Sequence, residues 1–330
     1  MLYRWIVRCA WGTALAAALA YTATAQTDDF TRRLLDGQKL RSEDRYTEAR
    51  ALYRNLLSRV RQGQSNDRRE ALVENELGLD EQDSGNYAAA ETAFNTGLQR
   101  VRTAAADNSL LITLETHLAE LYIAESRAED AEPILRRTLA AARASKTAHP
   151  LAVSVLNEDL AVVCIMRRKF AEPEGLLRES QVLIAKEFGP DDERLTSGLL
   201  TYAGFLAAQH RYAEAVVPAE HAWHILSVSS KPIPKPYQAS ALSVLGAVYY
   251  RVGRMDEALD CAHRSVDLAL ASLGPHHPRL GLYYGSYASI LKAAGRGDEA
   301  KAMQRKAGEI MGQSAASLAG GYTVNVASLH

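Results

Sequence analysis

Three groups of residues have types and spacings that chemistry could use. His221 and His224 (HAWH) lie three apart, which puts two imidazoles on one face of a helix where they could share a metal. Asp191, Asp192 and Glu193 gather three carboxylates, the raw material of acid–base catalysis or of a cation site. Cys164 and Cys261 offer two thiols downstream of Cys9. None of the three groups completes a centre. The histidine pair has no third ligand nearby, so its expected role is structural and no metal is assigned. The acids at 191–193 precede a helix and suit the positive end of its dipole. Glu129-Asp130, Glu214 and Asp256-Glu257 stand at helix starts in the same way. The chain has no Gly-x-Ser-x-Gly, no phosphate-binding Gly-rich loop, no dinucleotide fingerprint and no His-Glu-x-x-His. No catalytic residue and no cofactor is expected, so the function is expected in a surface.

That surface must be positioned by helices. The stretch LSVLGAVYYRVGRMDEALDCAHRSVDLAL (242–270) reads as two of them with a tight turn at Gly253-Arg254. Leu245, Val248 and Tyr249 recur at helical spacing, as do Ala258, Ala262 and Val266. Gly246 and Ala258 are small where the two backbones must approach. The pattern repeats along the chain. Small anchors stand at Gly37, Gly78, Ala119, Ala161, Ala203, Gly246 and Ala288, in steps of 41 to 43 residues. A second helix is expected to begin nine residues after each anchor, at Tyr46, Tyr87, Ala128, Phe170, Tyr212, Met255 and Gly297. A fixed period of this size is the signature of a helical solenoid.

In these positions the chain resembles the tetratricopeptide family. Leu242, Leu245, Gly246, Tyr249 and Ala258 match its pattern, as do Leu77, Gly78, Ala90 and Phe94, and Leu118, Ala119, Tyr122 and Ala131. The family's first Trp is missing and its closing Pro is out of register. The longer step and the links LGPHHPRL (273–280) and FGPDDERL (188–195) look like the kinesin-light-chain type of repeat, which also accounts for His276-His277. The resemblance spans about residues 31–311. It implies an all-α solenoid of about seven tandem helix-turn-helix repeats wound as a right-handed superhelix.

Residues 1–25 stand outside the repeats. Arg4 and Arg8 precede the apolar run AWGTALAAALA (10–20), and Ala23-Thr24-Ala25 is a small-x-small cleavage site before Gln26. This is the pattern of a secretory signal peptide. Arg8 leaves too short an apolar run to span about 30 Å of hydrocarbon. Cleavage would leave a 26–311 solenoid, a flexible 312–330 tail and an exported, periplasmic or secreted chain without stable membrane insertion. The formal net charge of −1 over 330 residues lacks the basic excess of a nucleic-acid binder. Cys164 and Cys261, two repeats apart, are expected as free thiols beyond the roughly 7 Å Cα reach of a disulfide. Repeat one, with Asp36 among Arg32, Arg33, Lys39 and Arg41, reads as a polar cap. Pro133 and Pro173 are expected in first turns, while Pro218 lies deeper.

By the same resemblance, the first helices line a concave groove. The groove-facing positions carry Asn75, Leu79, Gln82 and Asp83; Thr116, Glu120, Ile123 and Ala124; and Glu158, Val162, Ile165 and Met166. They continue with Leu200, Gly204, Ala207 and Ala208; Ser243, Ala247, Tyr250 and Arg251; and Gly285, Ser289, Lys292 and Ala293. Acids gather towards the N-terminal end, bases towards the C-terminal end, and the centre is apolar. Val162, Ile165 and Leu200 equally suit packing between helices. The family's paired Lys/Arg and Asn clamp for a terminal carboxylate is not visible. The expected function is a protein–protein interaction scaffold that binds an extended peptide or a partner helix. A structural part of a cell-envelope assembly that uses its outer surface is the alternative, and a hydrolase without signature the remote one.

Overall fold

The computed structural model describes residues 28–321, apart from residues 44, 64–65, 104–107, 146–148, 230–232, 276 and 278, and describes no side chains at 103, 108 and 311–321. The leader expected over 1–25 lies outside these residues. The described residues form fourteen α-helices and no strand. The N-terminal helices are α1 (Asp29–Ser42), α2 (Tyr46–Gln62), α3 (Asp67–Asp83), α4 (Tyr87–Thr103), α5 (Asn108–Ala124), α6 (Ala128–Ala144), α7 (Pro150–Met166) and α8 (Pro173–Phe188). The rest are α9 (Leu195–Ala208), α10 (Tyr212–Val228), α11 (Lys235–Arg251), α12 (Met255–Leu273), α13 (Leu280–Ala293) and α14 (Gly297–Gly321). Paired in order, they give the seven repeats that the period requires. The chain divides into two compact units, one ending at Glu187 and the other beginning at Phe188.

Within each unit successive helices pack together, α7 and α8 meeting through the Ser154 and Ser180 hydroxyls, and the first helices of successive repeats also touch: α1 with α3, α3 with α5 and α5 with α7, then α9 with α11 and α11 with α13. A first helix is therefore enclosed on several sides, and α7, α9 and α11 are buried along almost their whole length. Helices buried all round are apolar all round, as α9 (LTSGLLTYAGFLAA) shows. The second helices keep one apolar stripe, such as Ala258, Cys261, Ala262, Ser265, Val266 and Ala269 of α12.

The exception is α3, where Glu70, Glu74, Glu76, Asp80 and Glu81 are all buried. Arginines from its neighbours neutralise them. Arg41 of α1 reaches Glu76 at 3.2 Å, Arg50 of α2 reaches Asp80 and Glu81 at 2.9 Å, and Arg61 reaches Glu74 at 3.0 Å. Repeat one is thus more than a polar cap: Arg41 is only 16% exposed and points into the stack. A buried carboxylate is tolerable because it is paired and hydrogen-bonded.

The turn within repeats two to seven recurs with one geometry. Two residues before the second-helix start expected from the repeat, Gly85, Ser126, Arg168, His210, Gly253 and Gly295 all have φ between +57° and +82°. The next residue then donates its N–H to the carbonyl five positions back, at 2.7–3.0 Å, as in Arg127 to Tyr122 and Arg254 to Tyr249. This left-handed closure satisfies carbonyls that the helix end would leave bare.

Three local expectations change. The second helix of repeat four starts at Pro173, not Phe170, because a residue preceding proline is pushed out of the α region. Pro133 lies inside α6, beyond its first turn, and Pro218 is accommodated within an unbroken α10. The last helix continues to Gly321, ten residues past the expected end of the solenoid at Met311; residues 322–330 are outside the described part. Cys164 and Cys261 are free, buried thiols, and burial pushes both up to about 11.

Candidate partner-binding surfaces

The proposed groove residues fall into two sets, one in each unit. In the unit ending at Glu187, Asn75 and Gln82 lie on α3, Glu120 and Ile123 on α5, and Glu158, Ile165 and Met166 on α7. Ile123 and Ile165 are each only 2% exposed, and Val162 is 3% exposed. These three are core, because first helices that touch their neighbours fill the space between with apolar side chains. They offer a partner nothing in this conformation, which corrects their assignment to the groove. Met166 is half-buried at the end of α7.

The polar members make a row along the inner helices. Asn75 Oδ1 lies 2.7 Å from Nδ1 of His117 on α5. Burial, with Arg41 nearby, depresses His117 to about 3, so its ring is neutral at physiological pH and donates to the Asn75 carbonyl. Gln82 buries its Oε1 without a hydrogen-bond partner. Glu120 keeps part of its surface exposed, yet desolvation raises its carboxyl to about 7. Glu158 accepts a 2.6 Å hydrogen bond from the buried Ser180 hydroxyl of α8.

The structure adds residues that the spacing rule missed: Glu76, His117 and Asp159, each two positions before an anchor. Asp159 is 9% exposed and its Oδ2 has no hydrogen-bond partner. Burial first, then Glu120 and Glu158, raise its carboxyl well above the usual range. The signal was present in the sequence as one polar residue at the same register of three successive helices. It is invisible to a rule that assigns that register to packing.

In the unit beginning at Phe188, Tyr250 and Arg251 end α11, and Ser289 and Lys292 lie on α13. Arg251 is exposed, with its guanidinium 5.2 Å from the Tyr212 ring centroid and 5.7 Å from that of Tyr250. Tyr212 is fixed in turn by His210, whose Nδ1 lies 2.7 Å from the phenol oxygen. This aromatic and cationic cluster is presented by the turn joining repeats' first and second helices. Ser289 donates back to the Gly285 carbonyl at 2.9 Å, and Lys292 is exposed.

A surface cavity of about 490 Å³ lies elsewhere in this unit. Trp223, Leu226 and Ser227 of α10, Ser229 and Ile233 of the link, Gln238 of α11 and Arg264 of α12 line it. Arg264 stacks over Trp223 at 5.1 Å. His221, one of the two histidines spaced for a metal, instead lies 3.0 Å from Asp191. Among the described residues no three His, Cys, Asp or Glu side chains are grouped to hold a metal, and no helix is long and apolar enough to cross a membrane.

Comparison with known proteins agrees with this architecture. Residues 237–312 match the tetratricopeptide repeat family model. No curated protein matches the sequence. Among solved structures, the apo form of RapI superposes with a TM-score of 0.67 at 13% identity, over 86% of this chain and 97% of that one. A Rap protein complexed with Competence and Sporulation Factor gives 0.59 at 11% identity, over 95% and 97% of the two chains. A tetratricopeptide repeat protein from Parabacteroides merdae gives 0.54 at 14% identity, over 90% and 95%. Residues 237–312 thus resemble tetratricopeptide repeats, and the described helices on the N-terminal side of them carry the same helix-pair fold.

Proposed function

We propose that the chain is an exported, non-catalytic scaffold that binds a peptide or a partner helix on the inner face of its first helices. The observation that carries this reading is the row of polar side chains on α3, α5 and α7 that the fold holds rigid but leaves incompletely bonded, Gln82 and Asp159 above all. Stable monomers rarely retain buried polar atoms without partners, and a ligand is one way to complete them. The Rap protein solved with Competence and Sporulation Factor shares only the fold, yet it is a precedent for a partner bound to such a scaffold. Export rests on the Ala23-Thr24-Ala25 pattern, and N-terminal sequencing of the secreted or periplasmic chain should give Gln26. Affinity capture with the 26–330 chain tests the scaffold itself. Gln82→Ala and Met166→Ala should each lose captured partner, while Lys301→Ala on the exposed face of α14 should not.

A second reading has its own observation. The Trp223–Arg264 cavity is lined mainly by the second helices α10 and α12 and the link between repeats, with Gln238 of α11, so a partner seated there would use a surface other than the inner row, as a cell-envelope component would. Loss of partner in Trp223→Ala and Arg264→Ala, with Gln82→Ala and Met166→Ala unaffected, would replace the first reading with this one.

A further inference from the structure

The cavity beside Trp223 has walls that the chain itself holds in place. Gln238 of α11 donates from Nε2 to the Ile233 carbonyl at 3.1 Å, which ties the link to a helix. Asp260, one turn before Arg264 on α12, accepts from its Nη1 at 3.0 Å and steadies the guanidinium 5.1 Å from the Trp223 ring centroid. Ser227 donates its hydroxyl to the His224 carbonyl at 2.9 Å. Polar groups fixed by such internal bonds are preorganised, so a ligand that meets them loses little in ordering them. The volume of about 490 Å³ also falls within the roughly 300–1,000 Å³ that ligand pockets span.

The bonding capacity left over includes strong donors. Arg264 spends only Nη1, and its Nη2 and Nε have no hydrogen-bond acceptor among the described residues. The indole N–H of the half-buried Trp223 has none there either. A tryptophan N–H shielded from water ordinarily finds an acceptor. Arg264 is also the one charged side chain among the described residues that line the cavity, and it is 46% exposed and so open to a ligand. Leu226 and Ile233 add apolar wall beside the indole. The missing component is therefore an anionic acceptor on a flat apolar body. A guanidinium with free N–H groups suits a carboxylate and repels an ammonium.

We propose that this cavity binds a small aromatic carboxylic acid, its ring against Trp223, Leu226 and Ile233 and its carboxylate on Arg264 and the Trp223 N–H. The site is separate from the inner row of the scaffold reading and does not depend on it. It also goes beyond the outer-surface reading, which seats a macromolecule there.

The test uses the full chain carrying Trp5→Phe and Trp11→Phe, in which Trp223 is the only tryptophan. Its emission is excited on the red edge of indole absorption, where tyrosine is silent. Phenylacetate, phenylacetamide and phenethylamine serve as probes, because they share an aromatic body and differ in head group. Phenylacetate should change the emission saturably, and the amide and the amine should bind about tenfold more weakly or worse, the worth of one hydrogen bond to a charged group. Arg264→Gln, at an exposed position, should weaken phenylacetate by a similar factor and leave the amide and the melting temperature unchanged. An amine that binds as tightly as the acid, or an unchanged phenylacetate affinity in Arg264→Gln, would overturn the proposal. Failure of phenylacetate to saturate would overturn it too. If Trp223→Ala and Arg264→Ala nonetheless lost captured partner, the outer-surface reading would stand without it.

Discussion

Arg254 stacks 3.9 Å above the ring centroid of Tyr249, five residues earlier in the chain. The turn that closes α11 brings the two together, because its N–H to carbonyl bond joins the same pair of residues at 3.0 Å. Both then reach Glu220 on the preceding α10, the phenol donating at 2.8 Å and the guanidinium at 2.7 Å. The other unit contains the same device. Arg127 lies 4.1 Å over Tyr122, and both reach Glu91 on α4. A tyrosine of the repeat pattern is thus part of a staple between one repeat and the next.

Tyr249→Phe keeps the ring beneath Arg254 and removes only the phenol bond to a charged acceptor. The expected loss is about 1–2 kcal/mol in denaturant unfolding. Tyr249→Leu should lose more, since it also removes the stacked ring. Equal losses in the two variants would show that the stack contributes nothing.

The same substitution at two helical glycines should have opposite effects. A Cβ at Gly78 would lie 2.4 Å from Cε1 of Phe94, a fully buried ring, whereas a Cβ at Gly285 meets nothing within 4 Å. Gly78→Ala should destabilise by about 1–3 kcal/mol through overpacking. Gly285→Ala should stabilise by about 0.5–1 kcal/mol through helix propensity alone. Thermal melts of the two variants read the difference, and a common sign would contradict the close helix approach at Gly78.

Arg168 occupies a left-handed turn position, φ +57°, that three other repeats fill with glycine. A side chain there costs about 1–2 kcal/mol relative to ordinary backbone. Arg168→Gly should therefore stabilise, by up to about 1 kcal/mol once the extra freedom of the unfolded glycine is counted. An unchanged or lower unfolding midpoint would refute it.

Two kinds of buried acid should pull the pH dependence in opposite directions. Desolvation raises Glu120 from 4.5 to about 7, and Asp159 moves the same way. The folded state then holds the proton more tightly than the unfolded one, so this contribution is present below about pH 4.5 and is lost as pH rises to about 7. Glu132 does the reverse. Burial pushes it up, but Lys169, Arg136 and Arg167 together bring it from 4.5 to about 2. Its contribution is present above pH 4.5 and is lost as pH falls through about 2. Glu120→Gln should flatten the fall in unfolding free energy between pH 4.5 and 7, while Glu132→Gln should flatten the acid limb. Parallel profiles for both variants would reject the assignment.

The sequence by itself determined the fold class and the seven-repeat register. These follow from local spacing: a small anchor every 41 to 43 residues and helical apolar periodicity are visible without any distant contact. It also placed the turn at Gly253, although Ser126, Arg168 and His210 adopt the same left-handed backbone unannounced. Only the tertiary structure decided which inner positions are surface and which are core. Ile123 and Ile165 stand at the same registers as the exposed Arg251 and Lys292 or their neighbours, and differ in burial because packed neighbours, not spacing, exclude water. It likewise decided which acids are paired. Glu74 and Asp159 are both carboxylates on first helices, yet Arg61 from α2 reaches the first and nothing cationic among the described residues reaches the second. Charge pairing acts between side chains far apart in sequence, so its presence or absence is a property of the assembled repeats.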